Sequence, residues 1–103
     1  TAEAVQRVGG LTVDTRSRQA EVEGRAVGLT PLEFDLLATF AAAPRQVFSA
    51  GQLLADVWGS TSGRRDPSAV TEHVYRIRRK LRQVGADRPR ITTVRGVGYR
   101  LDP

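Results

Sequence analysis

Hydrophobic and polar residues alternate in three short segments near the start of the chain, at 11–14, 19–23 and 25–29. Alternation with a period of two is typical of strands with one buried face, and the turn-prone residues between them favour antiparallel pairing. The segments predict a small antiparallel sheet whose inner face packs on the helices that follow. Residues 1–7 are predicted to be a linker remnant, and residues 8–103 to form one domain.

Two helices are predicted after the sheet, because each start carries a capping box. Thr30 precedes Pro31 and Glu33 in the first, and Ser49 precedes Gln52 in the second. Apolar residues at helical spacing follow each start and predict one buried face per helix: Phe34, Leu37, Ala38 and Ala41 in the first, and Leu53, Leu54, Val57 and Trp58 in the second.

A third helix is predicted to begin at Asp66–Pro67 or Ser68 and to end at Gly85. Its apolar residues fall within a narrow arc at 100° per residue, which predicts a core-facing stripe: Val70, Val74, Ile77 and Leu81. Nearly opposite lie Glu72, Arg76 and Arg79, flanked by Tyr75 and Arg82, with His73, Arg78 and Lys80 at the borders. One side of this helix closes the domain, and the other presents a phenol, a carboxylate and several cations.

The last seventeen residues predict a β-hairpin, because β-branched segments flank the turn sequence at 95–98. Alternation predicts Val94, Tyr99 and Leu101 on the core side, and Thr93, Arg95 and Arg100 on the outer side. Ile91 has the opposite parity to Val94, so its side of the hairpin stays open at this point.

Composition limits the functional classes. The chain has 103 residues and contains no cysteine, which excludes disulfides and thiolate metal sites and makes a reducing, cytoplasmic location the expectation. No apolar run approaches the roughly 20 residues that a membrane span requires. The chain begins with Thr1 rather than Met, and we therefore expect further sequence upstream.

Charge is distributed unevenly along the chain. Residues 1–63 contain five basic and seven acidic residues, whereas residues 64–103 contain eleven basic and four acidic residues. A concentrated positive field attracts polyanions, with nucleic acid and an anionic membrane surface as the main candidates. A helix, a turn, a longer helix and a basic hairpin make a winged helix-turn-helix arrangement, which favours DNA and the major groove.

Four stretches, in order, resemble the signature sequences of the OmpR/PhoB-type response-regulator DNA-binding domain: LTPLEFDLLATF, LLADVWG, VTEHVYRIRRKL and TVRGVGYRL. The resemblance covers residues 8–102. It implies an α+β winged helix-turn-helix fold, with a four-stranded N-terminal antiparallel sheet, three helices and a C-terminal hairpin wing. It also implies that the third helix reads the major groove and that the tip of the wing enters the minor groove.

The resemblance also implies which residues contact DNA. On the third helix these are Ser68, Thr71, Glu72, His73, Tyr75, Arg76, Arg78 and Arg79, and on the wing they are Thr93 and Arg95. The loop before the third helix is implied as a possible contact for RNA polymerase, with a plain connector as an equal alternative: Ser60, Thr61, Ser62, Gly63, Arg64, Arg65 and Asp66. An upstream receiver domain, absent from this chain, and promoter direct repeats complete the implied partners.

Side-chain chemistry refines four of these roles. Arg76 is predicted to donate two hydrogen bonds to guanine O6 and N7, and Arg95 to enter a narrow minor groove. Glu72 either accepts from cytosine N4 or pairs with Arg76 one turn away, and both readings stay open. His73, the only histidine, is predicted to donate to a phosphate, because no cysteine or second histidine is present to form a metal site with it.

Rival functions are weaker on this sequence. Scattered carboxylates disfavour a metal-dependent nuclease or another enzyme, and no cofactor is expected. The narrow major groove of an RNA duplex would not admit the third helix. A winged-helix protein-interaction module, or the DNA-binding half of an OmpR-like regulator that is not phosphorylated, remains an alternative.

Overall fold

The computed structural model describes residues 4–59, 66–85 and 87–103. An N-terminal sheet contains β1 (Val5–Val8), β2 (Leu11–Asp14), β3 (Gln19–Val22) and β4 (Arg25–Ala26). Helix α1 (Pro31–Ala42) and the short α2 (Ala50–Leu53) follow, and a π-helical segment, Leu54–Trp58, continues α2. Helix α3 (Pro67–Gln83) leads into a hairpin of β5 (Arg90–Val94) and β6 (Gly98–Asp102).

The N-terminal strands pair antiparallel in the order β1-β2-β3-β4. Alternate residues of β2 and β3 are buried, as the period-two pattern predicts: Leu11, Val13, Ala20 and Val22. Strand β1 corrects the expected linker at 1–7, because Val5 is already paired with Asp14 of β2. The two valines of β1, Val5 and Val8, are an odd number of positions apart, so the segment carries no alternation signal.

Helix α1 begins as its sequence predicts. The Glu33 N–H donates to Thr30 Oγ1, and the Thr30 N–H donates to Glu33 Oε1 at 3.0 Å, which completes the capping box. Pro31 occupies the first turn, where its missing N–H costs no hydrogen bond. Of the predicted apolar face, Phe34, Leu37 and Ala41 are buried and Ala38 is half-buried, and Leu36 and Phe40 add to the same core.

Helix α2 also has the predicted capping box, formed by Ser49 and Gln52. The helix widens after Leu53, and the N–H of Gly59 donates to the carbonyl of Leu54 five residues earlier. Gly59 then takes a φ of +67°, which favours glycine at the end of the helix. The sequence pattern predicts the start, the buried leucines and the end of this segment but not its π-helical turn.

Helix α3 has Asp66 at its N-cap, where the carboxylate accepts from the Ser68 N–H at 3.0 Å. The predicted stripe is buried along its length: Val70, Val74, Ile77 and Leu81. The helix ends before Gly85, whose φ of +80° lies in the left-handed region. Start, stripe and end are therefore confirmed.

The hairpin settles the side that Ile91 takes. Ile91 pairs with Leu101 across the strands, and both are buried. Val94 has the opposite parity and is only half-buried, so its predicted place in the core is wrong, and Thr93 lies on the face of Ile91. The core lies at the end of the hairpin away from the turn, so the face that carries Ile91 is the one that is buried, whereas Val94 lies next to the turn. With this hairpin the predicted α+β winged helix-turn-helix fold is confirmed.

Among residues 4–59, 66–85 and 87–103, no helix has both the length and the apolar character needed to cross a bilayer.

Candidate nucleic-acid interface

The outward side of α3 is exposed and mixed in character. Glu72, Arg76 and Arg79 are exposed to solvent. Tyr75 beside them is exposed as well, with 57% of its surface accessible. The same helix buries its opposite stripe completely or nearly so. A helix that is apolar on one side and carries guanidinium groups on the other, as α3 does, is suited to enter a groove lined by phosphates.

Glu72 and Arg76 form an ion pair one helical turn apart, in which Arg76 Nη2 donates to Glu72 Oε2. Their side chains remain 58% and 47% exposed, respectively, so water screens the pair and its contribution to stability is small. Of the two roles left open for Glu72, the structure contains the pairing with Arg76. The ion pair also restricts the directions in which the Arg76 guanidinium points.

His73 lies at the border of the buried stripe. Its Nδ1 donates to the carbonyl oxygen of Ala69 at 2.8 Å, since a carbonyl can only accept. Its ring meets Trp58 edge to face, with centroids 5.1 Å apart. Because Nδ1 is engaged, donation to a phosphate has to come from Nε2.

Two other predicted contact residues on α3 point toward the hairpin. Arg78 Nε donates to the Ile91 carbonyl at 2.9 Å, and Arg78 Nη2 donates to Thr93 Oγ1 at 2.8 Å. The Thr71 hydroxyl shares a hydrogen bond with the Tyr99 hydroxyl, at 3.0 Å. Burial lowers the pKa of Arg78, although a guanidinium stays charged at neutral pH.

Lys80, at the other border, connects α3 to the capping box of α1. Its Nζ donates to Glu33 Oε1 at 2.5 Å, and the Glu33 side chain is 1% exposed. Burial raises the pKa of Glu33, but the hydrogen bonds from Lys80 and Thr30, together with the Lys80 charge, outweigh burial and lower the pKa below its ordinary value. The pair fixes α3 against the body of the domain.

The tip of the wing carries Arg95 and Val97, both exposed. Gly96 has a φ of +76°, which the tight turn requires. Gly98 is required for another reason: an added Cβ would lie 1.9 Å from the carbonyl oxygen of Phe48. The wing therefore rests on the backbone before α2, and Phe48 also exchanges two backbone hydrogen bonds with Tyr99.

Part of the predicted polymerase-contact loop, residues 60–65, lies outside the described residues. Asp66, its last member, caps α3, and Ser68 is exposed in the first turn of that helix.

The predicted site residues thus fall into two groups. One group faces solvent along α3 and at the wing tip: Ser68, Glu72, Tyr75, Arg76, Arg79 and Arg95. The other group makes hydrogen bonds to other parts of the domain, although Thr71 and Thr93 also remain exposed: Thr71, His73, Arg78 and Thr93. Sequence reasoning missed the internal contacts, because Arg78 and Thr93 are fifteen positions apart and no short-range pattern connects them.

Comparison with known proteins agrees with this architecture. A family model described as "Transcriptional regulatory protein, C terminal" matches residues 24–101. The DNA-binding response regulator MtrA of Mycolicibacterium smegmatis is 40% identical over 96 residues, which is 93% of this chain and 42% of that protein. The chain therefore spans less than half the length of this relative.

Solved structures give the same result. The crystal structure of the Klebsiella pneumoniae RstA DNA-binding domain in complex with RstA box has a TM-score of 0.80 and 33% identity, covering 98% of this chain and 99% of that one. The DNA-binding domain of CpxR from E. coli has a TM-score of 0.82 and 31% identity, covering 97% of each chain.

Proposed function

The chain belongs to the OmpR/PhoB-type family of transcriptional regulator C-terminal domains, and from this premise we propose that it binds double-stranded DNA sequence-specifically to regulate transcription. The observation that carries the proposal is the two-sided character of α3. Its apolar stripe is buried, while Arg76, Arg79 and Tyr75 stand exposed on the other side. This basic, protruding helix fits the major groove, whose base edges carry a readable pattern of donors and acceptors.

Arg76 is the proposed base reader. A guanidinium matches guanine O6 and N7 with two parallel hydrogen bonds, and a good pair of this kind discriminates by roughly 1–3 kcal/mol. The exposed ring of Tyr75, one residue away, offers apolar surface for a thymine methyl group. Arg79, one turn further along, is placed to neutralise a phosphate, which adds affinity without sequence information.

Arg95 is the proposed minor-groove contact. It lies at the exposed tip of the wing, beside the positive-φ glycine that makes the turn tight. Narrow minor grooves concentrate negative potential and attract inserted arginines. Contact with both grooves would fix the domain on the duplex in one orientation.

The whole protein is proposed to be a response regulator of the cytoplasm, with a receiver domain upstream and promoter direct repeats as its sites. The matched relatives named as DNA-binding response regulators, together with the partial coverage of their length, support this proposal. Catalysis is not part of the proposed function. Within the described residues, no group of three or more histidines, cysteines and carboxylates is arranged to hold a metal ion.

Selection of bound sites from random duplex DNA tests the proposal directly. We expect an enriched motif, and direct repeats about one helical turn apart would indicate tandem docking. If one protomer neutralises about five phosphates, log K should fall against log salt with a slope of about −4.5. No enriched motif together with a slope near zero would overturn DNA binding.

Two arginine substitutions separate recognition of a base from electrostatic attraction to the phosphates. Arg76→Ala should relax the preference for one base pair, at a loss of roughly 1–3 kcal/mol on the preferred site. Arg79→Ala should weaken all sites by similar factors and reduce the salt slope by about one unit. Titrations of each variant against the preferred site and a site changed at one position measure both effects. Equal losses for Arg76→Ala on the two sites would contradict base reading.

Polymerase contact by residues 60–66 stays a prediction. Changing Arg64 and Arg65 together should reduce reporter transcription while DNA affinity stays the same. If the two quantities fall together, or neither changes, the contact is not there.

A further inference from the structure

Four side chains join α3 to the outer half of the hairpin: Thr71, Arg78, Thr93 and Tyr99, named here the polar clamp. Arg78 donates to Thr93 Oγ1 at 2.8 Å, and Thr71 shares a hydrogen bond with the Tyr99 hydroxyl at 3.0 Å. Thr93 and Tyr99 are direct cross-strand partners in the register of β5 and β6. The helix therefore holds both members of one rung of the hairpin.

The helix residues of the polar clamp are spaced for this purpose. Thr71 and Arg78 are seven positions apart, which is about two helical turns and about 10 Å along the axis. They therefore grip the rung at two separated points, and two points limit rotation of the hairpin better than one. Arg78 adds a third hydrogen bond, from Nε to the Ile91 carbonyl at 2.9 Å, two residues closer to the base of the hairpin.

The base and the tip of the hairpin are held differently. At the base, Ile91 and Leu101 are buried in the core. Beyond the Thr93–Tyr99 rung there remains only the Val94–Gly98 pair, and then the turn that carries Arg95. The polar clamp thus lies one residue pair away from the turn that carries the proposed minor-groove arginine.

We propose that the polar clamp consists of positioning residues, which set the distance and angle between α3 and Arg95 and so couple reading of the major groove to contact with the minor groove. This proposal rests on the proposed function for its consequence on DNA, but the clamp itself is a property of the free domain. Arg78 acts here as a positioning residue, because its Nε and Nη2 donate to the hairpin rather than to a phosphate.

The first test uses no DNA. Because the chain contains no cysteine, Gln83→Cys on α3 and Val97→Cys at the wing tip provide two exposed sites for spin labels. The distribution of distances between the labels should broaden when Arg78→Lys is added, because an ammonium cannot reproduce the fixed donor geometry of a guanidinium. The matched change Arg79→Lys, on the exposed face of the same helix, should leave it as it is.

Thr71→Val provides a second, milder variant if Arg78→Lys lowers the folded fraction. It removes only the hydroxyl that meets Tyr99 and should broaden the same distribution to a smaller extent. Identical distributions in the parent, Arg78→Lys and Thr71→Val proteins would overturn the polar clamp, whatever happens on DNA.

The second test is a double-mutant cycle on the selected DNA site. Arg78→Lys keeps the positive charge, so a simple phosphate contact would persist in part. The loss of DNA affinity would then be the same with and without Arg95. Positioning predicts instead a loss of about fivefold in the parent and less than about twofold in an Arg95→Ala background. Arg79→Lys should give the same factor in both backgrounds.

The outcomes separate the two proposals. Equal factors for Arg78→Lys in both backgrounds overturn the coupling and assign Arg78 to simple phosphate contact. A domain that binds no duplex at all overturns the proposed function, while the label distances still decide whether the polar clamp holds the wing.

Discussion

Helix α3 is attached to the rest of the domain on two sides, and the two attachments are built from different chemistry. Toward the body it presents Val70, Val74, Ile77 and Leu81, each no more than 3% exposed. Toward the hairpin it presents Thr71 and Arg78, whose hydrogen bonds lie at or near the surface. Removal of apolar surface from water supplies most of the folding free energy. Hydrogen bonds within the protein contribute little net free energy, because they replace hydrogen bonds to water. The contacts with the body therefore supply most of the stability, and the proposed polar clamp sets the angle between α3 and the hairpin.

The body side also contains one buried ion pair, between Glu33 and Lys80. Glu33 serves two helices, because its carboxylate caps α1 through the Thr30 N–H and also accepts from α3 through Lys80. A buried charge that loses its partner is left with an uncompensated desolvation cost. Loss of this pair is therefore expected to destabilise the domain more than loss of any other polar contact of α3.

Lys80→Met should destabilise the domain by about 3 kcal/mol, at the lower end for a broken buried pair, because 29% of the Lys80 side chain is exposed. Methionine keeps most of the apolar stem, so the loss isolates the charge. Urea denaturation measures the difference in unfolding free energy. The matched control is Arg79→Met on the exposed face, which should change stability by less than about 0.5 kcal/mol. Equal effects of the two variants would show that the body attachment does not depend on the ion pair.

Acid should weaken the same attachment by a smaller amount. The folded-state pKa of Glu33 lies below its unfolded value, so its contribution to stability is present above the unfolded pKa of about 4.3 and is lost as pH falls through the folded value. The loss is smaller than in Lys80→Met, because protonation removes the buried charge and leaves the partly exposed Lys80 to water.

Unfolding free energies measured between pH 6 and pH 3 check the sign. The fall should be shallower in Glu33→Gln, which keeps a capping side chain but cannot titrate. Asp102 contributes to the remaining slope, because hydrogen bonds from Thr92 and Arg100 lower its pKa as well. A parallel fall in the parent and Glu33→Gln proteins would exclude Glu33 as a source of the pH dependence.

The body attachment was largely predictable from sequence, because its signals are local. A capping box spans four residues, and the stripe of α3 repeats every three or four, so Thr30, Glu33, Val74 and Ile77 could be placed by counting. The exception is the partner of Glu33. Lys80 is 47 positions away, and only the packing of α3 on α1 brings the two together.

The hairpin attachment was not predictable in the same way. Alternation gives two faces but does not say which one meets the core. The competing parities of Ile91 and Val94 give the wrong face for β5, whereas the predicted core side of β6, with Tyr99 and Leu101, is confirmed. The resemblance predicts that Arg78 and Thr93 contact DNA. Their mutual hydrogen bond depends on the angle between helix and hairpin, which no spacing in the sequence encodes.

The smallest expected effect on stability lies in the Thr71–Tyr99 hydrogen bond. Tyr99→Phe keeps the ring on the core and removes only the hydroxyl, and Thr71→Val removes the other partner. Each should cost about 1 kcal/mol or less, because exposed hydroxyls regain water when the pair is broken. The double variant should cost scarcely more than either single variant, since both delete the same interaction. Urea denaturation of the four proteins gives the coupling, and losses approaching that of Lys80→Met would mean that the hairpin side, too, holds the fold together.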